Sequence, residues 1–315
     1  MSHPVLIYMG TPAFAVAPLE ALCAAGLAPA LVYTQPDRPS GRGRRITPPP
    51  VAGAGRDLGL EVRQPEILQT RAERLFVESL KPDLILTAAY GKILKTRWLA
   101  LARHGGVNLH PSLLPRYRGV NPIGRAIMRG EGWTGITTFR MDEGTDTGPI
   151  LLQEMTPIGP DESMGELSER LSRMGGRVLV ETVRRLLDGA IEPAVQDEAL
   201  ASYAAPFTVE ERRLSWRRPA RQVHDHVRAL CPDPGAETAR LGRRLKILAV
   251  RPVEESTPAV RPGAFEPWTG GPPRVRCSPG TVELLRVKPE GKPSMAGEAW
   301  RRGLRDASSG FEERA

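Results

Sequence analysis

Two polar side chains about a third of the way along the chain are of types that could carry out acyl chemistry. Asn108 and His110 stand two residues apart in the largely apolar stretch GGVNLH, residues 105–110. Successive side chains along a strand point to opposite faces, so these two would share one face, with Leu109 on the other. A carboxamide can donate to a developing oxyanion, while an imidazole can move a proton near neutral pH. A lone N-x-H pair fits a solvated strand end equally well, and the residues beyond it tip the balance. Pro111 and Pro115 stop the strand and make the intervening Ser112-Leu113-Leu114 a stiff loop beside the pair. Downstream, GTDTG sets Asp146 in a glycine-punctuated turn, a place where Asp also serves as a plain turn former.

The elements that must position these residues alternate in type. Apolar runs at residues 4–9, 31–34, 61–63, 83–88 and 106–109 are predicted strands, and residues 14–25, 51–58, 71–80 and 93–102 are predicted helices. That order implies βαβ units and an α/β fold with a mostly parallel twisted sheet of Rossmann-like type. Ligands in such sheets bind beyond the carboxyl ends of the strands, where residues 10–12, 88–91 and 108–115 fall. A short helix at 122–128 and paired strands at 135–141 and 149–156 come next. A helix capped by Ser163 and Glu166 then runs to Leu187. These elements define a catalytic domain at 1–188, followed by a polar linker at 189–205. Residues 206–303 hold a helix at 220–230 and short strands at 245–250, 274–277 and 282–287, the pattern of a small β-barrel. Residues 304–315 form a tail.

Composition narrows the function classes. At 315 residues with 40% hydrophobic content, the chain can bury two cores. No apolar run approaches the roughly 18 residues a membrane helix needs, and MSHPVLIYMG has no basic leader, so a cytoplasmic protein without a membrane partner is expected. Cys23, Cys231 and Cys277 are scattered without a C-x-x-C, so neither a disulfide framework nor a metal site is expected. His224 and His226 flank Asp225 at a spacing unsuited to ligation from one helix face and read as surface histidines.

From Pro206 onward there are 21 Lys and Arg against 14 Asp and Glu, whereas the first 205 residues hold 23 against 22. Only six of the 44 basic residues are Lys, so arginine richness is partly compositional, but composition does not place the excess at one end. The asymmetry suits a catalytic domain joined to a polyanion-binding one. A dinucleotide fingerprint fails twice: MGTPAF has one glycine and SGRGRRI has two, with no helix opening there. The latter instead carries Arg38, Arg42, Arg44 and Arg45 in a Pro/Gly-rich loop, which fits phosphate oxygens or a solvated basic loop.

Asn108, His110 and Asp146, with SLLPRYRG at 112–119, resemble the folate-dependent formyltransferase family. TPAFAVAPLEAL at 11–22, TQPDRPSGRGRRITPPPV at 34–51 and MDEGTDTGPILLQ at 141–153 are similar to the branch that formylates methionyl-tRNA. The likeness runs nearly end to end and fades after about Val250. It implies formyl transfer from 10-formyltetrahydrofolate, a co-substrate, to the α-amino group of initiator methionyl-tRNA for translation initiation, with an OB-like second domain that binds tRNA. It makes Asn108 the oxyanion donor and Asp146 the partner that orients a protonated His110. Ser112, Leu113, Leu114 and Pro115, backbone at Tyr90 and Gly91, and Asp142 would border the folate, and Arg38, Arg42, Arg44 and Arg45 would meet the tRNA acceptor end. Arg116 and Arg118 could meet the folate's glutamate tail or pair with local acids. The protein is expected to be a monomer. Departures from the family pattern fall at Pro111, Val120, Asn121, Thr145, Pro206 and Phe207, none of which removes a reacting group. A relative acting on a small amine such as a nucleotide sugar, and a non-catalytic tRNA-binding protein, are the alternatives.

Overall fold

The first apolar run becomes β1 (Leu6–Gly10), buried at every position, because a parallel strand covered on both faces has no solvent side to mark with polar residues. α1 (Val16–Ala24), β2 (Leu31–Tyr33), the hairpin strands β3 (Arg38–Ser40) and β4 (Arg45–Thr47), α2 (Pro50–Asp57) and β5 (Val62–Arg63) follow. Then come α3 (Arg71–Leu80), β6 (Leu84–Ala88), α4 (Thr96–Leu99) and β7 (Gly106–His110). The structure is a computed structural model and describes residues 3–40, 43, 45–253, 261–268, 270–304 and 310–312. Two compact units emerge: one running to Pro122 and including Trp133–Pro157 and Ser168–Ala204, the other holding Ile123–Gly132, Ile158–Leu167 and the chain from Ala205 on.

The first unit is built on a seven-stranded sheet ordered β5-β2-β1-β6-β7-β8-β9, where β8 is Trp133–Arg140 and β9 is Ile150–Pro157. The first five strands of that order are parallel, and β8 and β9 add antiparallel pairing at one side. This bears out the α/β reading. The helix expected at 93–102 forms only over Thr96–Leu99, and the β3–β4 hairpin was not expected. α5 (Pro122–Met128) precedes β8, and α6 (Met164–Leu187) follows β9. α6 carries two glycines in mid-helix that propensity alone disfavours. A Cβ at Gly175 would stand 2.8 Å from Leu109, and one at Gly176 would stand 2.8 Å from Ala21, so close packing on β7 and α1 accounts for both.

The segment expected as a linker is bound to this unit. Ile150 and Ala194 exchange backbone hydrogen bonds at 2.8 Å, and residues 202–204 run beside 118–121 through Arg118 N to Ser202 O, Ala204 N to Arg118 O and Asn121 N to Ala204 O.

The second unit packs α7 (Ala220–Leu230) on an antiparallel sheet of β10 (Ala236–Arg240), β11 (Arg243–Val253), β12 (Arg274–Arg276), β13 (Thr281–Pro289) and β14 (Met295–Ala296), followed by α8 (Gly297–Arg302). Register shifts along β11 curl it, giving the small barrel-like domain that was expected. Its core joins Trp216, Val223, Val227, Ile247, Leu284 and Val287. Phe311, in the stretch expected as a tail, is buried and stacks on Trp216 at 5.1 Å. His224 and His226 are buried, not superficial: His224 Nε2 meets Asp161 at 3.0 Å, and His226 Nε2 donates to Glu211 O at 2.7 Å.

Candidate active site

β7 lies between β6 and β8, and its register sets the site. Asn108 faces Thr87 on one side and Phe139 on the other, and His110 is level with Thr137. Thr87 Oγ1 donates to Asn108 Oδ1 at 2.7 Å. The hydroxyl therefore fixes the carboxamide with its oxygen toward β6, leaving the Nδ2 hydrogens for a reacting oxygen. Two residues on, His110 is 4% exposed, so its ring is desolvated on nearly every side. Its Nε2 lies 2.9 Å from Tyr117 O, and its Nδ1 lies 3.5 Å from Asp146 Oδ2.

The structure thus brings Asp146 to His110 from a different hairpin. Asp146 adopts a left-handed backbone, φ 56°, which Asp tolerates better than most residues. Its Oδ2 also accepts from Gly119 N at 2.7 Å. Gly119 itself has φ 110°, and a Cβ there would stand 3.1 Å from Ala204 O. Two requirements therefore select glycine at 119: the backbone conformation and the close approach.

Burial lowers the His110 pKa, and the Asp146 charge and the Tyr117 carbonyl oppose it without prevailing. The lowered pKa favours the neutral ring, whereas the sequence suggested that Asp146 keeps it charged. Both neighbours can only accept, and the shorter contact, 2.9 Å to the Tyr117 carbonyl against 3.5 Å to the Asp146 carboxylate, favours the single ring hydrogen on Nε2.

The loop after β7 is clamped from behind. Thr137 Oγ1 donates to Ser112 O at 2.6 Å and accepts from Leu114 N at 3.1 Å, and Gln153 Nε2 donates to Leu114 O at 2.7 Å. Ser112 Oγ donates to Arg116 O at 2.7 Å. The serine hydroxyl and most of the loop's backbone groups are thus engaged within the protein. Tyr90 turns its ring into the core with Trp98 and Leu94, and burial pushes its phenol up to about 12. Only backbone at Tyr90 and Gly91 is left for a ligand, and Tyr90 O already accepts from Thr11 Oγ1 and Gln35 Nε2. Asp142 is exposed and accepts from Gly144 N and Thr147 Oγ1, shaping the Asp146 turn.

The arginines divide. Arg118 is fully buried and pairs with Glu198 at 2.7 Å and with Gln196, so of its two expected roles it takes the local one. Arg116 lies over the Tyr117 ring at 5.6 Å. Arg38 and Arg45 are exposed at paired positions of the β3–β4 hairpin. Arg42 and Arg44 lie outside the described residues. No group of three or more potential metal ligands occurs among the described residues, and no helix there is long and apolar enough to cross a membrane.

A carboxamide and an imidazole on one strand, with a carboxylate in a nearby turn, are groups of the types acyl transfer uses, and comparison places the chain in a family of acyl-group transferases. The family model for formyl transferases matches residues 4–183, and that for the formyl transferase C-terminal domain matches residues 206–305. The chain belongs to the formyl transferase family. It is 44% identical over 302 residues to the methionyl-tRNA formyltransferase of Anaeromyxobacter dehalogenans, covering 95% of this chain and 97% of the relative. To the same enzyme of Moorella thermoacetica it is 43% identical over 298 residues, covering 95% and 96%. Among solved structures, an N-formyltransferase from Helicobacter canadensis in complex with folinic acid and dTDP-3-aminofucose superposes with a TM-score of 0.67 at 18% identity, over 89% of this chain and 99% of that one. At that identity the likeness is one of fold.

Proposed function

We propose that this protein transfers the formyl group of 10-formyltetrahydrofolate to the α-amino group of methionyl-tRNA, with Asn108, His110 and Asp146 acting on the reacting carbonyl. The observation that carries the reading is the buried His110–Asp146 contact on the strand that presents Asn108 with its amide oxygen already taken by Thr87. When bound, the donor supplies an activated formyl carbon. Asn108 Nδ2 donates to the formyl oxygen as negative charge develops there, a contribution typically worth about 3 kcal/mol for one such donor. His110 begins neutral, takes the proton of the attacking amine on Nδ1 and returns it to the departing nitrogen. Asp146 Oδ2 offsets the charge while the ring holds two protons, and general acid–base help of this type is worth on the order of a hundredfold or more.

Leu113, Leu114, Pro115 and the Tyr90–Gly91 backbone hold the ring of the donor, with Ser112 and Asp142 shaping that wall from within their own turns. Arg38 and Arg45, with Arg42 and Arg44, meet the acceptor's phosphates. The methionyl-tRNA acceptor is favoured over a sugar amine because the relatives acting on it share more than 40% identity nearly end to end, whereas the Helicobacter enzyme shares 18%. The protein works as a soluble cytoplasmic monomer.

The test is a transfer assay with purified protein and 10-formyltetrahydrofolate, offering methionyl-tRNA or a nucleotide-sugar amine. Formylated methionyl-tRNA, absent with His110→Ala, is the expected result. Turnover with the sugar amine alone would discard the acceptor and keep the chemistry.

A further inference from the structure

Gln196 belongs to a polar stretch without periodic pattern, yet it is 5% exposed. Both ends of its amide are engaged. Nε2 donates to Asp146 O at 2.8 Å and to Gly148 O at 2.7 Å, spanning the turn that carries the carboxylate. Oε1 accepts from Arg118 Nε at 3.1 Å and Nη2 at 2.8 Å. Arg118 is 0% exposed, and it also donates to Glu198 at 2.9 and 2.7 Å. The anchor is thus a buried guanidinium held at its far side by a carboxylate, an arrangement that is costly to disturb.

Three consecutive residues contact every part of the pair. Tyr117 O meets His110 Nε2, the Arg118 side chain meets Gln196, and Gly119 N meets Asp146 Oδ2. Asp146 is therefore held twice from one tripeptide, directly at its carboxylate and through Gln196 at its main-chain carbonyl. We propose that Gln196 is a positioning residue for the reaction: it ties the Asp146 turn to Arg118 and so sets where the carboxylate meets the His110 ring. The proposal rests on Asn108, His110 and Asp146 being the reacting set. Without Gln196, Asp146 O and Gly148 O each lose a donor, and the left-handed Asp146 keeps only the Gly119 amide at its carboxylate and the Asp142 contacts within its turn.

The test uses the full chain with Gln196→Glu, which keeps an oxygen for Arg118 but removes both donors to the turn, and with the near-isosteric Gln196→Met. Three readouts separate positioning from plain structure: the melting temperature, the NMR titration of the His110 imidazole in unliganded protein, and kcat against KM for formyl transfer. The expected result for Gln196→Glu is a melting temperature within a few degrees of wild type and a His110 titration moved by about half a pH unit or more. With these comes a kcat fall of about tenfold or more, at KM values within about twofold. In an Asp146→Asn background the same substitution should cost little further, since coupled residues are not additive. An unmoved titration, an equal loss in the Asp146→Asn background, or collapse of folding in both variants would overturn the proposal. The titration needs no substrate, so a wild-type protein inactive on methionyl-tRNA would sink the acceptor assignment and still leave Gln196 tested.

Discussion

His110 presents each of its two ring nitrogens to an acceptor oxygen: Nε2 lies 2.9 Å from the Tyr117 carbonyl and Nδ1 lies 3.5 Å from the Asp146 carboxylate. The carbonyl takes the one hydrogen of the neutral ring, so the second proton arrives on the side where a negative charge waits. Burial draws the imidazole down and Asp146 draws it up, with burial the larger effect. Substituting Asp146→Asn removes the upward pull. The His110 titration should then move to still lower pH, and kcat should fall on the order of a hundredfold as the doubly protonated ring loses its counter-charge. NMR titration and the pH profile of kcat check this together, and a titration that rose or stayed put would contradict the arrangement.

Asn108 is oriented by one hydroxyl, and that invites a graded pair of substitutions. Asn108→Ala removes the donor and should cost about a hundredfold or more in kcat. Thr87→Val keeps the volume and leaves Asn108 in place, but frees its amide to turn over, since Thr87 Oγ1 is the group holding Asn108 Oδ1. A roughly tenfold loss in kcat is expected from Thr87→Val, with binding of methionyl-tRNA unchanged in both variants. Equal losses in the two would mean that orientation, not donation, carries the effect.

The parallel sheet was legible because its strands are uninterrupted apolar runs, and the pair proposed to react was legible because strand periodicity alone places Asn108 and His110 on one face. The β3–β4 hairpin, which pairs Arg38 with Thr47 and Arg45 with Ser40, was hidden by its composition: Pro and Gly carry little strand propensity, and β4 is exposed throughout, with no buried face to mark it. Gln196 left no local signal, because its partners Arg118 and Asp146 are 78 and 50 residues away and no periodicity links them. His224 and His226 misled for a related reason. α7 is buried around most of its circumference, and the Nε2 atoms of its two histidines reach an acid and a carbonyl from other segments. A helical pattern cannot show such partners. At His110 the carboxylate is visible in sequence, and the burial that opposes it is not.

Arg38 and Arg45 stand exposed on the hairpin, close enough along the ladder to act on one phosphate backbone. Each cation that neutralises a phosphate releases about one counterion, so Arg38→Ala and Arg45→Ala should each weaken tRNA binding. Each should also flatten the plot of log affinity against log salt by about one unit of slope. Turnover at saturating tRNA should stay near wild type. An unchanged slope would remove the hairpin from the tRNA contact, and a loss confined to kcat would place these residues at the chemistry instead.

His226 gives the second unit a pH dependence of definite sign. Burial, assisted by Arg218, holds its pKa down at about 4 against the opposing hydrogen bond to Glu211 O, compared with an ordinary value of 6.5. Between those limits the unfolded chain binds a proton that the folded one refuses, so the stabilisation is present above about pH 6.5 and lost as pH falls toward 4. From about pH 7.5 to about 5.5 the loss from this one group comes to about 1.4 kcal/mol. His226→Gln keeps a donor for Glu211 O and removes the titration. Thermal melts of the two proteins should therefore converge on acidification, the wild type losing several degrees more than the variant over that range. Parallel melting curves for the two across that same interval would show that the buried ring is not the group that titrates.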